Sequence, residues 1–220
     1  MDATTPAPFD LVEMTLADAA DAFARGVTAE ALTQAFLDRI AAHNPHYNAL
    51  IIMNPDALAD ARAIDARRAA GEALGPLAGV PVVIKDPMDM AGLPTTAGWH
   101  FLSARAGGVD LVPETDSPVV ARMRAAGCVM LGKTNVPLVF PQMRDELPPL
   151  HGGRAINETT VCEINIAGLP GVTVPAGFYA SGAPFNLIFV GRMWSEADLL
   201  GFADAYEQAT HHRRAPNLGG

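Results

Sequence analysis

Apolar positions recur at three- and four-residue spacing along the first third of the chain, at Leu11, Met14, Ala19 and Phe23 and again at Leu32, Phe36, Leu37 and Ile40. This spacing predicts amphipathic helices across residues 9–70. Thr28 is placed to cap the second of them, with Glu30 in its first turn suiting the helix dipole. Asn54-Pro55 opens a third, carried by Leu58, Ala61, Ile64 and Ala69 and stopped at Gly71. The period then changes. Residues 80–84 form an unbroken apolar run between turn residues, the pattern of a strand buried on both faces. Val119, Val120, Met123 and Ala126 share one helical face closed by Gly127, and CVMLGKTN gives a second short buried strand. The tail adds the strands AGLPGVTVPAG and FNLIFVG. A last helix follows from Ser195 to about Thr210, where Ser195 and Asp198 have the spacing of a capping box.

Strands alternating with helices predict an α/β fold, a mixed β-sheet covered by helices, in one domain over residues 1–220. Residues 136–160, rich in proline, interrupt the pattern between two strand-rich parts and read as a loop or a splice.

Composition narrows the function. Half of the 220 residues are hydrophobic, enough for a real core, and only 18% are charged. Mean hydropathy is +0.17, yet no run approaches the roughly 18 apolar residues of a membrane span. Fifteen basic against 24 acidic residues give a net charge of −9, the wrong sign for tracking phosphates, so nucleic acid is excluded as a partner. Cys128 and Cys162 lie in apolar contexts without a second thiol or histidine at ligand spacing, and read as buried strand residues. No metal or cofactor is expected. The start MDATTPAPFD lacks the basic and apolar segments of a secretory signal, so a cytoplasmic location is expected.

Two stretches, GPLAGVPVVIKDPMDMAGLPTTAG and DSPVVARMRAAGCVMLGKTNVP, resemble the amino-terminal part of the amidase signature family. The helical start ALTQAFLDRIAAHNPHYNALI is similar to the same region, and INIAGLPGVTVPAGFYASGAPFNLIFVGRMWSEADLLGFADAYEQAT resembles the family's closing strands and helix. The resemblance implies an amino-terminal family segment, about residues 9–137, joined to a carboxy-terminal one, about 138–214. It also implies amide hydrolysis by a serine nucleophile, a second serine bridging in a cis peptide, and a lysine base.

By that resemblance Lys85, in VVIKD, is the catalytic lysine. A lysine works as a base near pH 7 only when its surroundings supply about 4–5 kcal/mol against the ammonium, which takes a closed, desolvated site. The family's Gly/Ser-rich segment, which carries both serines and the oxyanion amides, does not follow GKTN here. Ser103, Ser117, Ser181 and Ser195 are the only serines, and none has the paired-glycine setting of a strained nucleophile. Ser117 and Ser195 read as helix caps and Ser181 as a turn residue. The double glycine of HGGR at 151–154 fits a loop better than an oxyanion hole. Thr159, Thr160 and Cys162 stay open as nucleophiles.

Asp86 and Asp89 beside Lys85 favour its charged form, so an ion pair is the expected outcome. Thr95, Thr96 and Gly98 resemble a family loop near the active site and, as bare chemistry, form a turn with hydroxyl-to-backbone bonds. Gly132-Lys133-Thr134 echoes the end of a phosphate loop, but the residues before it read as a strand, which leaves no room for the phosphate cradle. His211 and His212 end a helix and do not form a metal site.

The sequence therefore predicts an amidase-signature protein that is inactive or impaired, a pseudoenzyme acting on a small-molecule amide if it acts at all. The substrate-binding residues are unknown. The alternative is a non-catalytic scaffold derived from an amidase. A chain that has lost part of its fold bares apolar surface, so homo-oligomers or aggregation are expected.

Overall fold

A computed structural model describes residues 10–135, 164 and 167–215. They fall into two compact units, one within Met1–Met143 and the other within Arg144–Gly220. The predicted joint at 136–160, together with HGGR, Thr159, Thr160 and Cys162, lies outside the described residues, as does most of the amino-terminal stretch.

The first unit begins with α1 (Leu16–Ala24) and α2 (Ala29–Tyr47). Its true capping box is at Thr15, whose hydroxyl accepts from the Asp18 amide at 3.1 Å while the Asp18 carboxylate accepts from the Thr15 amide at 2.8 Å. Thr28 caps α2 as its sequence predicts, accepting from Ala31 N at 3.0 Å. A second cap comes from α3 (Ala57–Ala69): the Asp65 carboxylate accepts from Ala29 N at 2.8 Å and Glu30 N at 2.9 Å. Arg68 holds Asp65 at 2.9 Å and also donates to Ala78 O at 2.8 Å. Asp65→Ala removes two acceptors from the positive end of α2 and is expected to cost about 2 kcal/mol in a thermal melt, Asp65→Asn less.

The helical pattern of the first seventy residues conceals a strand. Leu50–Met53 is β1, and its first residue is gripped by Asn44, which accepts from Leu50 N at 2.8 Å and donates to Leu50 O at 2.9 Å. Asn54 then does two things at once. Its Oδ1 accepts from Asp56 N at 3.1 Å, turning the chain into α3, and its Nδ2 donates to Met130 O at 2.8 Å.

β2 (Pro81–Lys85), α4 (Pro118–Ala125) and β3 (Val129–Thr134) complete the unit. The sheet is mixed, in the order β1-β3-β2, with β3 antiparallel to β1 and parallel to β2. β3 is therefore the central strand. Val129 and Leu131 pack with Ala29, Ala57, Ala61 and Ile64 of α2 and α3. Met130 packs on the other face with Ile84, Met90, Val120 and Cys128. The run at 80–84 is expected to be buried on both faces, but β2 is an edge strand among the described residues and Val83 is 42% exposed. Apolar runs do not tell a central strand from its neighbour; pairing decides that.

β3 carries a bulge. Val82 pairs with Met130 and Val83 with Gly132, so Leu131 is extra on β3. The added residue reverses the alternation. Lys133, paired with Ile84, shares the face of Ile84 and Met130 rather than that of Leu131. Only glycine fits at 132, since a Cβ there would stand 2.4 Å from Ile52 O.

The second unit is a hairpin, β4 (Gly171–Phe178) with β5 (Pro184–Val190), and α5 (Glu196–Thr210), which packs on β4. Val174 and Ala176 face inward with Leu199 and Ala203. The expected capping box at Ser195 is not formed. The Ser195 hydroxyl donates to Arg192 O at 2.6 Å and makes no cap bond, because the turn before the helix offers a nearer acceptor. His211 ends α5 in a left-handed conformation, φ 47°. Among the described residues no helix is long and apolar enough to cross a membrane.

Candidate functional site

The site is built at the carboxyl ends of the two parallel strands. Lys85 is the last residue of β2, in register with Thr134, and its side chain is exposed. A turn follows at once: Met88 N donates to Lys85 O at 2.9 Å, and Asp86 N donates to Thr134 O at 3.2 Å. Strand alternation sends Lys85 and Asp86 to opposite sides. Asp86 points inward and has no exposed surface.

The Asp86 carboxylate organises the loop that contains Thr95, Thr96 and Gly98. It accepts from Thr96 Oγ1 at 2.8 Å, from Thr96 N at 3.2 Å and from Gly98 N at 3.4 Å. The loop bends through two consecutive left-handed residues, Ala97 at φ 51° and Gly98 at φ 75°. A non-glycine residue in that region costs roughly 1–2 kcal/mol, which the bonds to Asp86 offset. The expected hydroxyl-to-backbone turn is present in part, since Thr96 Oγ1 accepts from Gly98 N at 3.1 Å.

Lys133 completes the cluster and is itself fully buried. Its Nζ donates to Pro94 O and to Thr95 Oγ1, both at 2.7 Å, and lies 3.6 Å from Asp86 Oδ1. Thr95 donates its own hydroxyl proton to Asp89 Oδ1 at 2.8 Å. Burial pushes the Lys133 amine below the ordinary lysine value, against the pull of Asp86 and then of Asp89. Two acceptors at 2.7 Å and the nearby Asp86 carboxylate favour the charged amine, in opposition to the burial. The ion pair expected between Lys85 and its neighbouring aspartates is thus formed by Lys133 instead. The bulge at Gly132 is the reason: it turns Lys133 to the side on which Asp86 lies.

Lys133 has no place among the residues that sequence reasoning puts in the site. Two signals point to it. A glycine inside a strand marks a bulge, with reversed facing beyond it. The chain also contains only two lysines against thirteen arginines, and both stand at these adjacent strand ends.

Among the described residues no serine hydroxyl is hydrogen-bonded to Lys85. Ser103 precedes a short 3-10 turn at Ala104–Ala106, Ser117 precedes α4, Ser181 is in the β4–β5 turn and Ser195 is tied to Arg192 O. The Ser117 hydroxyl is buried without a hydrogen-bond partner and makes no cap bond, contrary to the cap expected of it. Cys128 is buried beside β3, where desolvation pushes its thiol up and away from the reactive thiolate.

Comparison with known proteins places these elements. A family model described as Amidase matches residues 31–151, which include β2, β3 and the loop between them. The chain is 49% identical over 129 residues to a glutamyl-tRNA(Gln) amidotransferase subunit from Salinispora arenicola, and 43% identical over 128 residues to the protein of the same name from Chloroflexus aurantiacus. These matches cover 58% and 57% of this chain and 25% of each relative. The chain thus matches about a quarter of their length. Among solved structures it is similar to native peptide amidase from Stenotrophomonas maltophilia, with 37% identity and a TM-score of 0.52 over 60% of this chain and 26% of that one. It is also similar to an amidase family protein from Bacillus anthracis, with 30% identity and a TM-score of 0.51 over 57% and 24%.

Proposed function

Because this chain belongs to the amidase family, we propose that it keeps the amine base of an amide hydrolase, Lys85, without the serine that base would activate, and that it hydrolyses amides slowly or not at all. The observation that carries this reading is the exposed position of Lys85 at the end of β2, with each of the four serines placed elsewhere. Acyl transfer needs a hydroxyl within hydrogen-bond reach of its base, with the base shielded from water. Removing the nucleophile from such a set removes the acyl-enzyme route as a whole, and residual rates then come from binding and oxyanion contacts.

The substrate of the intact reaction would be an amide whose carbonyl takes up the serine oxygen, releasing an amine and then, with water, a carboxylate. Turnover of simple aryl and aliphatic amides by this chain is expected to equal that of Lys85→Ala and of the uncatalysed reaction. Lysine-dependent hydrolysis above that background would overturn the reading.

A second reading, a binding partner without chemistry, draws on the exposed large apolar side chains. Within one stretch of the first unit Val109 is 77% exposed, Leu111 53% and Val112 48%. The amidotransferase relatives are named as subunits, and surface of this kind suits assembly with another chain or a second copy.

A further inference from the structure

The second unit has little core of its own. Among the described residues its buried apolar side chains are Val174, Ala176, Leu199 and Ala203. So small a unit rarely holds on so few apolar contacts, and association is a common way to cover more. Its uncovered surface includes the turn from β5 into α5. There the Ser195 amide and hydroxyl both donate to Arg192 O, at 3.2 Å and 2.6 Å, and a Cβ on Gly191 would collide with that hydroxyl. The turn is therefore fixed. Within it Trp194 stands 90% exposed at φ 66°, in a backbone region that residues with a side chain rarely adopt.

The same turn borders a cleft of about 360 Å³. Its apolar lining is Phe189 and Val190 of β5 with Leu199 and Phe202 of α5, and Phe202 is 59% exposed. Arg192 and Asp198 line it as well, and among the described residues their side chains form no ion pair with each other or with a third group. The volume is at the small end of the roughly 300–1,000 Å³ of ligand pockets and suits one aromatic ring. A projecting indole and a receiving cleft thus lie side by side, with one unpaired charge of each sign. A two-fold axis requires that combination, because each copy must offer what the other receives. A surface that faces an unlike chain has no reason to be its own complement.

We propose that this face is the contact between two copies of the chain, in which Trp194 of each fills the cleft of the other and Arg192 of each pairs with Asp198 of the other. Tryptophan supplies a large, stiff contact area, and a turn already fixed before association leaves little freedom to be lost. The proposal rests on the reading of the chain as a binding partner and gives it a surface and an occupant, apart from the Val109 stretch.

Sedimentation equilibrium of the full-length chain is expected to show a dimer at micromolar concentration. Trp194→Asn installs a residue that tolerates the left-handed turn and is expected to weaken the dimer about thirtyfold. Arg192→Asp and Asp198→Arg each set like charges against one another at both ends of a two-fold contact, and each is expected to weaken it about tenfold. Mixed in equal amounts, the two charge variants present opposite charges at both ends, and a heterodimer as tight as the parent dimer is expected. Unfolding by either substitution would not be repaired by mixing. Should Trp194→Asn melt differently from the parent, the mixture decides. A dimer that Trp194→Asn leaves intact, or a mixture that fails to pair, overturns the proposal. If Val109→Ser dissolves the dimer and Trp194→Asn does not, assembly runs through the other stretch and only the surface named here is wrong. A parent that stays monomeric overturns the proposal together with assembly of like copies.

Discussion

Replacing Lys133 with methionine is expected to lower the unfolding free energy of the chain by about 3–5 kcal/mol in urea denaturation. Methionine matches the length of the lysine stem and fills the same space, so the loss isolates charge from packing. What remains is Asp86, a carboxylate without exposed surface, still bonded to Thr96 and Gly98 but stripped of its cation. Pro94 O and Thr95 Oγ1 lose their donor in the same step. The pair itself contributes little net stability, because burying two charges costs nearly what their attraction returns. For that reason adding Asp86→Asn to Lys133→Met is expected to recover more than half of the loss. A loss below about 1 kcal/mol for the single variant would mean that Asp86 is adequately held by its hydroxyl and amide donors alone.

Leu131→Ala is expected to cost about 3 kcal/mol, whereas Val83→Ala costs less than about 1 kcal/mol, although both positions stand in the apolar runs of paired strands. Leu131 is 3% exposed at the centre of the sheet, packed against α2 and α3. Truncating it leaves a cavity lined by residues from three elements, which cannot all close in. Val83 stands on the edge strand with much of its surface already in water. Chemical denaturation of the two variants side by side checks the assignment of β3 as the central strand. Equal losses would contradict it.

The elements themselves were largely legible in the sequence. Helical periodicity located α2, α3, α4 and α5, and turn glycines marked the ends of α3 and α4 because a left-handed residue is needed there, Gly71 and Gly127 having φ of 75° and 91°. β1 escaped because four residues, Leu50–Met53, are too few to display a period of two beside a nineteen-residue helix. Which strand is central could not be read from composition, since β2 and β3 are equally apolar and only pairing distinguishes them. The same holds for the site. Lys85 and Asp86 are visible as a strand-end pair, but the partner of Asp86 comes from 47 residues further along the chain, brought round by a bulge that the isolated Gly132 signals only to a reader already expecting a strand. Ser195 and Asp198 carry a valid capping pattern that the chain does not use, while Thr15 and Asp18 carry one that it does. A spacing states that a bond is possible; the local turn determines whether it is made.

The order β1-β3-β2 also sets the timing of assembly. β1 and β2 do not pair with each other, and both wait for a strand that begins at Val129. During synthesis the three leading helices can form as they emerge, but their apolar faces have no sheet to rest on until residue 134 has left the ribosome. More than half of the polypeptide is therefore made before its first long-range β-pairing can close, and that interval is when the nascent chain is most open to chaperones and to neighbouring copies of itself.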